Sequence, residues 1–337
     1  MRIGVAGASG YLGAELLRLL AGHPSLEVAV AQADTSAGIQ VATLYPNLAP
    51  GYRDLVFSPL DPAGLHGLDA VFIALPSGRS QDLVPALARS VPLVVDLGGD
   101  FRLRDPSLYP VWYGFEHRAP ELLGRFVYGL PELFRHELAD APLVAAPGCY
   151  VTAATLALAP LVKEGLIEPT GVIVDAASGT SGAGRSPSAD MHHPFVNESF
   201  SAYGLINHRH TPEMEQAIGA QILFTAHLAP MTRGILATCY GRAVDGHSGS
   251  RALEALQDAY HDEPFVQVSA VPRPTRDTYG SNTVQVTARY DDRTGHVVAL
   301  AALDNLVKGG AGQAIQAANL ALGLEETLGL PTIGLVP

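Results

Sequence analysis

The first 147 residues alternate between short, almost wholly apolar runs and segments with apolar residues at helical spacing. The apolar runs predict strands at residues 2–6, 26–33, 69–75, 91–97 and 143–146. Between the first two runs, Leu16, Leu17, Leu19 and Leu20 follow the periodicity of a helix. Strands that alternate with helices form parallel sheets covered on both faces. Residues 1–147 are therefore predicted to be an α/β domain with a doubly wound parallel sheet of the Rossmann type.

The pattern changes in the second half of the chain. Strands are predicted at residues 171–177, 222–228, 234–244, 283–291 and 295–303, with one clear helix at 252–260. This half is predicted to be an α+β domain with a mainly antiparallel sheet, at residues 148–304. A final apolar helix, at residues 306–322, is expected to return to the first domain, so that the segment 305–337 completes it. Residues 98–137 lack clean periodicity and are expected to be a packed connection.

A glycine-rich turn joins the first strand to the first helix. Its residues are Gly7, Ala8, Ser9, Gly10, Tyr11, Leu12 and Gly13. Glycines let the backbone approach a pyrophosphate, and the helix N-terminus offers N–H donors and positive potential. The turn therefore predicts a dinucleotide site beyond the carboxyl ends of the parallel strands. Asp34, Ser77 and Gly78 follow neighbouring strands and are expected around the same crevice.

One cysteine stands where a strand ends and a helix is predicted to begin. Cys149 follows Pro147-Gly148 and precedes an Ala- and Leu-rich run. A helix N-terminus favours thiolate over thiol, and its N–H groups can hold an oxyanion that forms beside the sulfur. This environment suits a nucleophile, and the alternative is a buried cysteine that packs as a small apolar residue. The thiol is expected at the same strand edge as the glycine turn.

Two further polar groups lie in the second half. Residues 178–185 offer hydroxyls, flexible N–H groups and Arg185, which suit a phosphate or acyl phosphate, although such a stretch can also be a plain loop. His208 and His210 lie on a turn before a helix expected to start at Thr211, with Thr211 as its cap. Either histidine could serve Cys149 as a general acid or base.

Composition narrows the classes of function. The net charge of −12 argues against nucleic acid and anionic membrane surfaces as partners, and no apolar run approaches the length of a membrane span. The chain opens directly into a strand, so we expect a cytoplasmic protein that acts on a small molecule. Cys149 and Cys239 form no Cys-x-x-Cys pair, and no metal site is predicted. Cys239 lies inside a predicted strand and is expected to pack there.

Motifs spread nearly end to end carry a family resemblance. They are residues 7–13, 100–103, 128–133, 147–150, 178–185, 208–213, 233–236, 280–282 and 304–309. With these motifs the chain resembles the N-acetyl-gamma-glutamyl-phosphate reductases, relatives of aspartate-semialdehyde dehydrogenase and glyceraldehyde-3-phosphate dehydrogenase. That family usually has Asn-Pro-Gly-Cys-Tyr-Pro-Thr around the cysteine, whereas this chain has Ala146 and Val151. Neither change removes a reacting group.

The resemblance implies roles for individual residues. Cys149 would be the nucleophile and His210 the acid or base, with His208 as its competitor, while the glycine turn would hold the NADP pyrophosphate. We further assign to the cofactor site Asp34, Ser36, Ser77, Gly78, Ser178, Gly179, Ser181, Gly182 and Asn305. We assign to the substrate site Arg102, Arg185 and Arg209. A homodimer or homotetramer, built through the antiparallel sheet, is also implied.

The implied reaction is the NADPH-dependent reduction of N-acetyl-L-glutamyl 5-phosphate to the semialdehyde, with release of inorganic phosphate. One alternative is the aminoadipyl phosphate of lysine biosynthesis, because a pocket distinguishes one methylene by only about 1–3 kcal/mol. A non-catalytic nucleotide sensor would explain the glycine turn, but not the cysteine, the histidines and the anion loop together.

The preference of the enzyme for NADP or NAD also stays open. Asp34 stands where NAD-specific folds place an acid on the ribose 2′-OH, and a carboxylate there should repel a 2′-phosphate. The resemblance nevertheless implies NADP, so we expect NADP with tolerance of NAD.

Overall fold

The computed structural model describes residues 1–336, which divide into two compact units. Unit 1 comprises Met1–Pro147 and Gly310–Leu330, and unit 2 comprises Gly148–Gly309 and the described residues from Pro331 onward. Each unit is built around one seven-stranded sheet.

The strands of unit 1 are β1 (Arg2–Ala6), β2 (Glu27–Ala33), β3 (Ser58–Pro59), β4 (Ala70–Ile73), β5 (Leu93–Asp96), β6 (Val127–Tyr128) and β7 (Leu143–Ala145). Those of unit 2 are β8 (Val172–Gly179), β9 (Ser201–Tyr203), β10 (Ile222–Ala229), β11 (Ile235–Arg242), β12 (Val266–Val268), β13 (Val284–Asp291) and β14 (His296–Leu303).

The α-helices are α1 (Tyr11–Leu20), α2 (Val41–Leu44), α3 (Ala49–Tyr52), α4 (Ser80–Leu87), α5 (Leu108–Trp112), α6 (Pro131–Leu138), α7 (Cys149–Lys163), α8 (His193–Val196), α9 (Thr211–Ile218), α10 (Gly246–Ser250), α11 (Ala252–Tyr260) and α12 (Gly312–Ala321).

The sheet of unit 1 is parallel throughout and has the order β3-β2-β1-β4-β5-β7-β6. Every residue of β4 and β5 is buried, which is typical of parallel strands covered on both faces. The strand order reverses between β1 and β4, and in open α/β sheets ligands bind beyond the carboxyl ends of the strands at such a point. The predicted doubly wound α/β fold is confirmed.

The aromatic segment 98–137 contributes more than a connection. It forms α5, the edge strand β6 and α6, and β6 pairs with β7. The Phe101 ring stacks on Phe126 with a centroid distance of 4.3 Å. Our prediction missed α5 and β6 because each is too short to show a period in the sequence, whereas α6 departs from helical geometry at Phe134.

The sheet of unit 2 has the order β12-β13-β14-β11-β8-β10-β9. The pairs β9–β10, β8–β11, β11–β14 and β13–β14 are antiparallel, whereas β8–β10 and β12–β13 are parallel. The predicted mainly antiparallel sheet is thus confirmed. Helix α7 is buried over most of its length and packs on β11, β13 and β14, which fixes the position of its first residue, Cys149.

The C-terminal segment differs from the prediction of one helix at 306–322. A π-helix, Val307–Ala311, precedes α12, and only α12 and its neighbours up to Leu330 group with unit 1. From Pro331 onward the chain returns to unit 2. The amide of Asn282 donates to the Pro331 carbonyl at 2.7 Å, and the amide of Leu335 donates to the Tyr279 carbonyl at 2.8 Å. Residues 305–309 also group with unit 2, so our assignment of all of 305–337 to the first domain holds for residues 310–330 and is wrong for the described residues on either side.

Candidate active site

The glycine turn of unit 1 is held close to the parallel sheet. The amides of Gly7 and Ala8 both donate to the Gln32 carbonyl at 2.9 Å, which fixes the turn against the end of β2. Gly7 has φ +84, and a Cβ there would lie 2.8 Å from the carbonyl carbon of Ala74. A Cβ at Gly13 would lie 2.6 Å from the Ala8 Cα. Both positions therefore require glycine, the first for the strand-to-turn geometry and the second for the packing of α1.

The same turn offers donors to an anion. The cap residue of α1 is Gly10, and no side chain caps its first N–H groups. A Cβ at Gly10 would meet nothing closer than the Gly7 carbonyl oxygen at 3.6 Å, so the approach to this helix end is open. Open N–H donors at the positive end of a ten-residue helix fit a pyrophosphate. The residues present thus suit a dinucleotide.

The other residues predicted around this crevice lie on the loops that follow β2 and β4. Asp34 is exposed, directly after β2, while Ser36 is buried. Ser77 and Gly78 lie on the turn between β4 and α4, and the Gly78 amide donates to Asp100 Oδ1 at 2.6 Å. Both loops leave the carboxyl edge of the sheet, on either side of the glycine turn.

Cys149 is the first residue of α7 in unit 2, as the sequence predicted. Gly148 caps the helix without a side-chain hydrogen bond, and the thiol is half-buried. The Gly148 amide donates to Glu213 Oε1 at 2.9 Å, and Glu213 is fully buried on α9. This bond ties the residue before the cysteine to a second helix. The helix N-terminus favours the thiolate form.

His210 lies against the backbone that precedes the cysteine. A Cβ at Gly148 would lie 2.7 Å from Cε1 and 2.8 Å from Cδ2 of the His210 ring, and closer still to Nε2. A Cβ at Gly309 would likewise lie 2.9 Å from the Cys149 Cβ. Two glycines thus let an imidazole and the π-helix approach the cysteine closely. His210 itself is the cap residue of α9, and Thr211, our predicted cap, is instead the first residue of the helix.

His208 lies beside His210 in an aromatic cluster. Its ring centroid is 4.8 Å from that of His210, 5.0 Å from Phe224 and 5.8 Å from Tyr150. Burial and then the positive charge of Arg209 lower the pKa of His208 to about 4, so the ring is neutral near pH 7. Its Nδ1 accepts a hydrogen bond from the His210 amide at 3.1 Å. His208 therefore holds the turn that carries His210.

Two tyrosines line the same site. The Tyr203 hydroxyl donates to the Tyr150 hydroxyl at 3.1 Å, and the Tyr150 hydroxyl donates to the His227 carbonyl at 2.8 Å. Burial raises the pKa of Tyr203 to about 12, with a smaller contribution from the negative charge of a Cys149 thiolate. Both phenols therefore stay neutral near pH 7 and can donate hydrogen bonds.

The predicted anion loop follows β8 as a tight 3-10 turn, Thr180–Ala183. Asn305 fixes it, because its Nδ2 donates to Ser181 Oγ at 3.0 Å and its Oδ1 accepts from the Gly234 amide at 2.8 Å. A Cβ at Gly179 would lie 2.7 Å from the Arg233 amide nitrogen. Ser178, Ser181 and Asn305 are buried, whereas Gly182 is exposed. The structure thus joins these residues in one cluster of unit 2.

The three predicted substrate arginines lie in different places. Arg102, in unit 1, uses Nε and Nη2 to donate to the carbonyls of Ala146 and Leu97, both at 2.8 Å. Arg209 is exposed between the two histidines, and its charge acts on both His208 and Tyr203. Arg185 is exposed after the 3-10 turn. Arg209 thus lies among the residues around Cys149.

Sequence reasoning missed several residues of this site. Glu213, Tyr203, Gly309 and Lys308 were not among our candidates. Glu213 and Lys308 have ionisable side chains that are fully buried, which is rare in proteins. Their burial cannot be read from the sequence. The Lys308 ammonium lies 5.5 Å from the centroid of the Phe265 ring.

Three further observations concern the second cysteine, metal binding and membrane-spanning helices. Cys239 is fully buried in β11, and burial raises its thiol pKa. It packs as predicted. Within residues 1–336, His, Cys, Asp and Glu form no group of three or more that could hold a metal ion. No helix of the same residues has the length and apolar character that a membrane crossing requires.

Comparison with known protein families places this chain in one class. Residues 2–141 match the family described as semialdehyde dehydrogenase, NAD binding domain, and residues 149–305 match semialdehyde dehydrogenase, dimerisation domain. The solved structure of aspartate semialdehyde dehydrogenase II complexed with ASA from Vibrio cholerae is 16% identical, with a TM-score of 0.68 over 96% of this chain and 98% of that one. That of aspartate semialdehyde dehydrogenase with NADP from Candida albicans is 16% identical, with a TM-score of 0.67 over 95% and 97%.

Relatives of higher sequence identity identify one enzyme family within this class. The N-acetyl-gamma-glutamyl-phosphate reductase of Acidothermus cellulolyticus is 50% identical, over 100% of this chain and 99% of the relative. The enzyme of the same name from Symbiobacterium thermophilum is 45% identical, over 99% and 98%. The chain therefore belongs to the N-acetyl-gamma-glutamyl-phosphate reductase family, as its motifs indicated.

Proposed function

We propose that this chain reduces N-acetyl-L-glutamyl 5-phosphate to N-acetyl-L-glutamate 5-semialdehyde with NADPH, in arginine biosynthesis. The observation that carries the proposal is the geometry around Cys149: the thiol begins α7, and the His210 ring lies against the glycine that caps it. The choice of substrate follows from family membership, because the two relatives at 50% and 45% identity are both named N-acetyl-gamma-glutamyl-phosphate reductase. The aminoadipyl alternative is therefore not favoured.

The first step uses the cysteine as a nucleophile. The Cys149 thiolate attacks the acyl carbon, a C–S bond forms, and the C–O bond to phosphate breaks with loss of inorganic phosphate. The N–H groups at the start of α7 can stabilise the oxyanion that develops beside the sulfur. The buried bond from the Gly148 amide to Glu213 keeps that helix end in place. Arg209, exposed beside His208, supplies positive charge for the leaving phosphate.

The second step reduces the thioester. When bound, NADPH supplies a hydride, and a thioester carbonyl accepts hydride far better than a carboxylate does. Hydride addition leaves an oxyanion on the former carbonyl carbon, and a proton from His210 converts it to a hemithioacetal. When the hydroxyl returns that proton to His210, the C–S bond breaks, the aldehyde forms, and the electron pair of the bond returns to Cys149 as thiolate. We assign the proton transfer to His210 rather than His208, because the Nδ1 of His208 accepts a backbone hydrogen bond and the ring resists protonation.

The test is the substitution Cys149→Ser. We expect turnover to be abolished while NADPH binding is unchanged, because the glycine turn lies in unit 1. A matched pair, His208→Asn and His210→Asn, separates the two histidines. Only His210→Asn should remove a limb from the pH profile of kcat, since the pKa of His208 lies near 4. Near-normal turnover by Cys149→Ser would overturn the mechanism.

Substrate and assembly need their own measurements. In the reverse direction with phosphate, kcat/KM should favour N-acetylglutamate semialdehyde over the homologue one methylene longer. A preference for the longer aldehyde would overturn the choice of substrate.

We also propose a homodimer or homotetramer built through the sheet of unit 2, in line with the dimerisation domain that this unit matches. A monomeric mass by light scattering would contradict the assembly.

A further inference from the structure

An ion pair between Arg79 and Asp34 stands at the edge of the sheet where the cofactor ribose is expected. Arg79 Nη2 lies 3.6 Å from Asp34 Oδ2, and both side chains are more than half exposed, at 53% and 68%. Asp34 directly follows β2, the position from which an acidic residue reaches the ribose 2′-OH in dinucleotide folds. Arg79 lies on the turn after β4. The two charges therefore meet from loops on opposite sides of the glycine turn.

The loop after β2 holds no cation of its own. Residues 34–40 read Asp-Thr-Ser-Ala-Gly-Ile-Gln, without a lysine or an arginine. A 2′-phosphate carries about two negative charges, and on this loop it would meet the hydroxyls of Thr35 and Ser36 and the negative charge of Asp34, but no positive charge. Arg79 is the basic side chain that the fold brings to Asp34. An arginine fork binds phosphate oxygens in the way it binds a carboxylate, so the phosphate and Asp34 would compete for the same guanidinium.

The turn that carries Arg79 is held rigidly. The carboxylate of Asp100 accepts from the Gly78 amide at 2.6 Å and from the Ser80 amide at 2.9 Å. Asp100 is fully buried. On the outer side, Arg118 Nη2 donates to the Gly78 carbonyl at 2.6 Å. The backbone on both sides of Arg79 is thus fixed, and only its side chain has freedom.

The glycine turn is tied to the same place. The Gln32 carbonyl accepts both turn amides, and Asp34 lies two residues further along the chain. A pyrophosphate bound at α1 would therefore have its adenosine ribose directed towards the end of β2, as in other dinucleotide folds. The ribose 2′-position then falls beside the Asp34–Arg79 pair.

From this placement we propose that Arg79 and Asp34 together set the cofactor preference of this chain. Arg79 binds the 2′-phosphate of NADPH and leaves Asp34, whereas Asp34 accepts a hydrogen bond from the ribose 2′-OH of NADH while still paired with Arg79. The inference rests on the proposed use of NADPH. It goes beyond that use by naming the residue from the β4 turn that accepts the phosphate, and by explaining how an acidic Asp34 is compatible with it.

The experiment measures cofactor binding directly, by calorimetry without substrate. NADPH, NADH and adenosine 2′,5′-bisphosphate are titrated into wild type, Arg79→Gln, Asp34→Asn and the control Arg89→Gln, which removes an exposed cation just beyond α4. Loss of a charge-assisted bond predicts that Arg79→Gln weakens NADPH and the bisphosphate about 10- to 100-fold. NADH should change less than about threefold, by the same reasoning. Asp34→Asn should tighten NADPH and weaken NADH.

The outcomes separate this inference from the proposed function. If wild type fails to bind NADPH, the proposed function itself is wrong. If wild type binds NADPH and Arg79→Gln binds it equally well, the inference alone is overturned. It is also overturned if Arg79→Gln weakens NADPH and NADH to the same extent, because Arg79 would then shape the loop rather than read the phosphate. An equal loss of NADPH affinity in Arg89→Gln would also overturn the inference, because the loss in Arg79→Gln would then follow from the change in net charge alone.

Discussion

Substituting Gly148 by alanine perturbs the candidate site by a single methyl group. The backbone at Gly148 has φ −69 and ψ 148, an extended conformation that alanine adopts without strain. The added Cβ would lie within 2.8 Å of the carbons Cε1 and Cδ2 of the His210 ring. Carbon atoms pack at about 3.5–4.0 Å, so the ring must move by roughly 1 Å. The perturbation is therefore steric and directed at one imidazole.

The expected result is a catalytic defect in a folded protein. A displacement of about 1 Å in a reacting group can cost on the order of 10²-fold, so we expect kcat to fall by about that factor. The overpacking costs about 1–3 kcal/mol of unfolding free energy, partly offset by the lower unfolded-state entropy of alanine. NADPH affinity should not change. Steady-state kinetics, calorimetry and urea unfolding measure the three quantities.

Two further variants make this prediction strict. Gly124→Ala is the matched control, because nothing lies within 4 Å of a Cβ at that position and activity should stay at the wild-type value. The double variant Gly148→Ala/His210→Asn should be no slower than His210→Asn alone, since the methyl group acts through a ring that is no longer there. A folded Gly148→Ala enzyme that keeps kcat within about threefold of wild type would refute the reasoning. So would additive losses in the double variant.

Two more predictions concern stability and thiol chemistry. Burial, with a smaller contribution from the nearby Asp100 carboxylate, raises the pKa of Asp96 to about 7 from an ordinary value of 3.8. Asp96 therefore stays protonated to higher pH in the folded state than in the unfolded state. Its contribution to the free energy of unfolding is fully present below about pH 4 and is lost as the pH rises to about 7. The loss amounts to about 4 kcal/mol at most. Urea unfolding should show a smaller loss of stability between pH 5 and pH 8 in Asp96→Asn than in wild type, and an unchanged loss would contradict the assignment. In the native enzyme, iodoacetamide should label Cys149 quickly and Cys239 slowly, because Cys239 is fully buried with a raised thiol pKa. Peptide mass spectrometry measures both rates, and equal rates would count against a special environment at Cys149.

Local pattern was sufficient for much of the fold. The strands β1, β2, β4, β5 and β7 were predicted to within a few residues, because parallel strands that are largely buried form nearly continuous apolar runs. The start of α7 at Cys149 followed from a Pro-Gly turn before a helical run. The glycine turn followed from its place after the first strand. In each case the signal lies within about ten neighbouring residues, so a sequence can carry it.

Elements that depend on distant partners were missed or misplaced. Strands β3, β6, β9 and β12 are two or three residues long and exist because a neighbouring strand pairs with them. The return of the last residues to unit 2 depends on hydrogen bonds to Tyr279 and Asn282. Backbone hydrogen bonds between residues far apart in the chain produce no periodic pattern of side chains, so the sequence does not predict them.

The sequence by itself determined which residues carry reactive groups, while the tertiary structure decided the burial and the contacts of each of them. The residues of the turn alone left His208 and His210 as alternatives, and the family resemblance favoured His210. Their difference comes from the fold, which buries His208, turns its Nδ1 towards a backbone amide and lowers its pKa, and sets His210 against Gly148. Glu213 and the pairing of Asp34 with Arg79 became visible only in three dimensions. The physical reason is that burial, desolvation and charge pairing depend on groups far apart in the chain, whereas strand, helix and turn propensities are local.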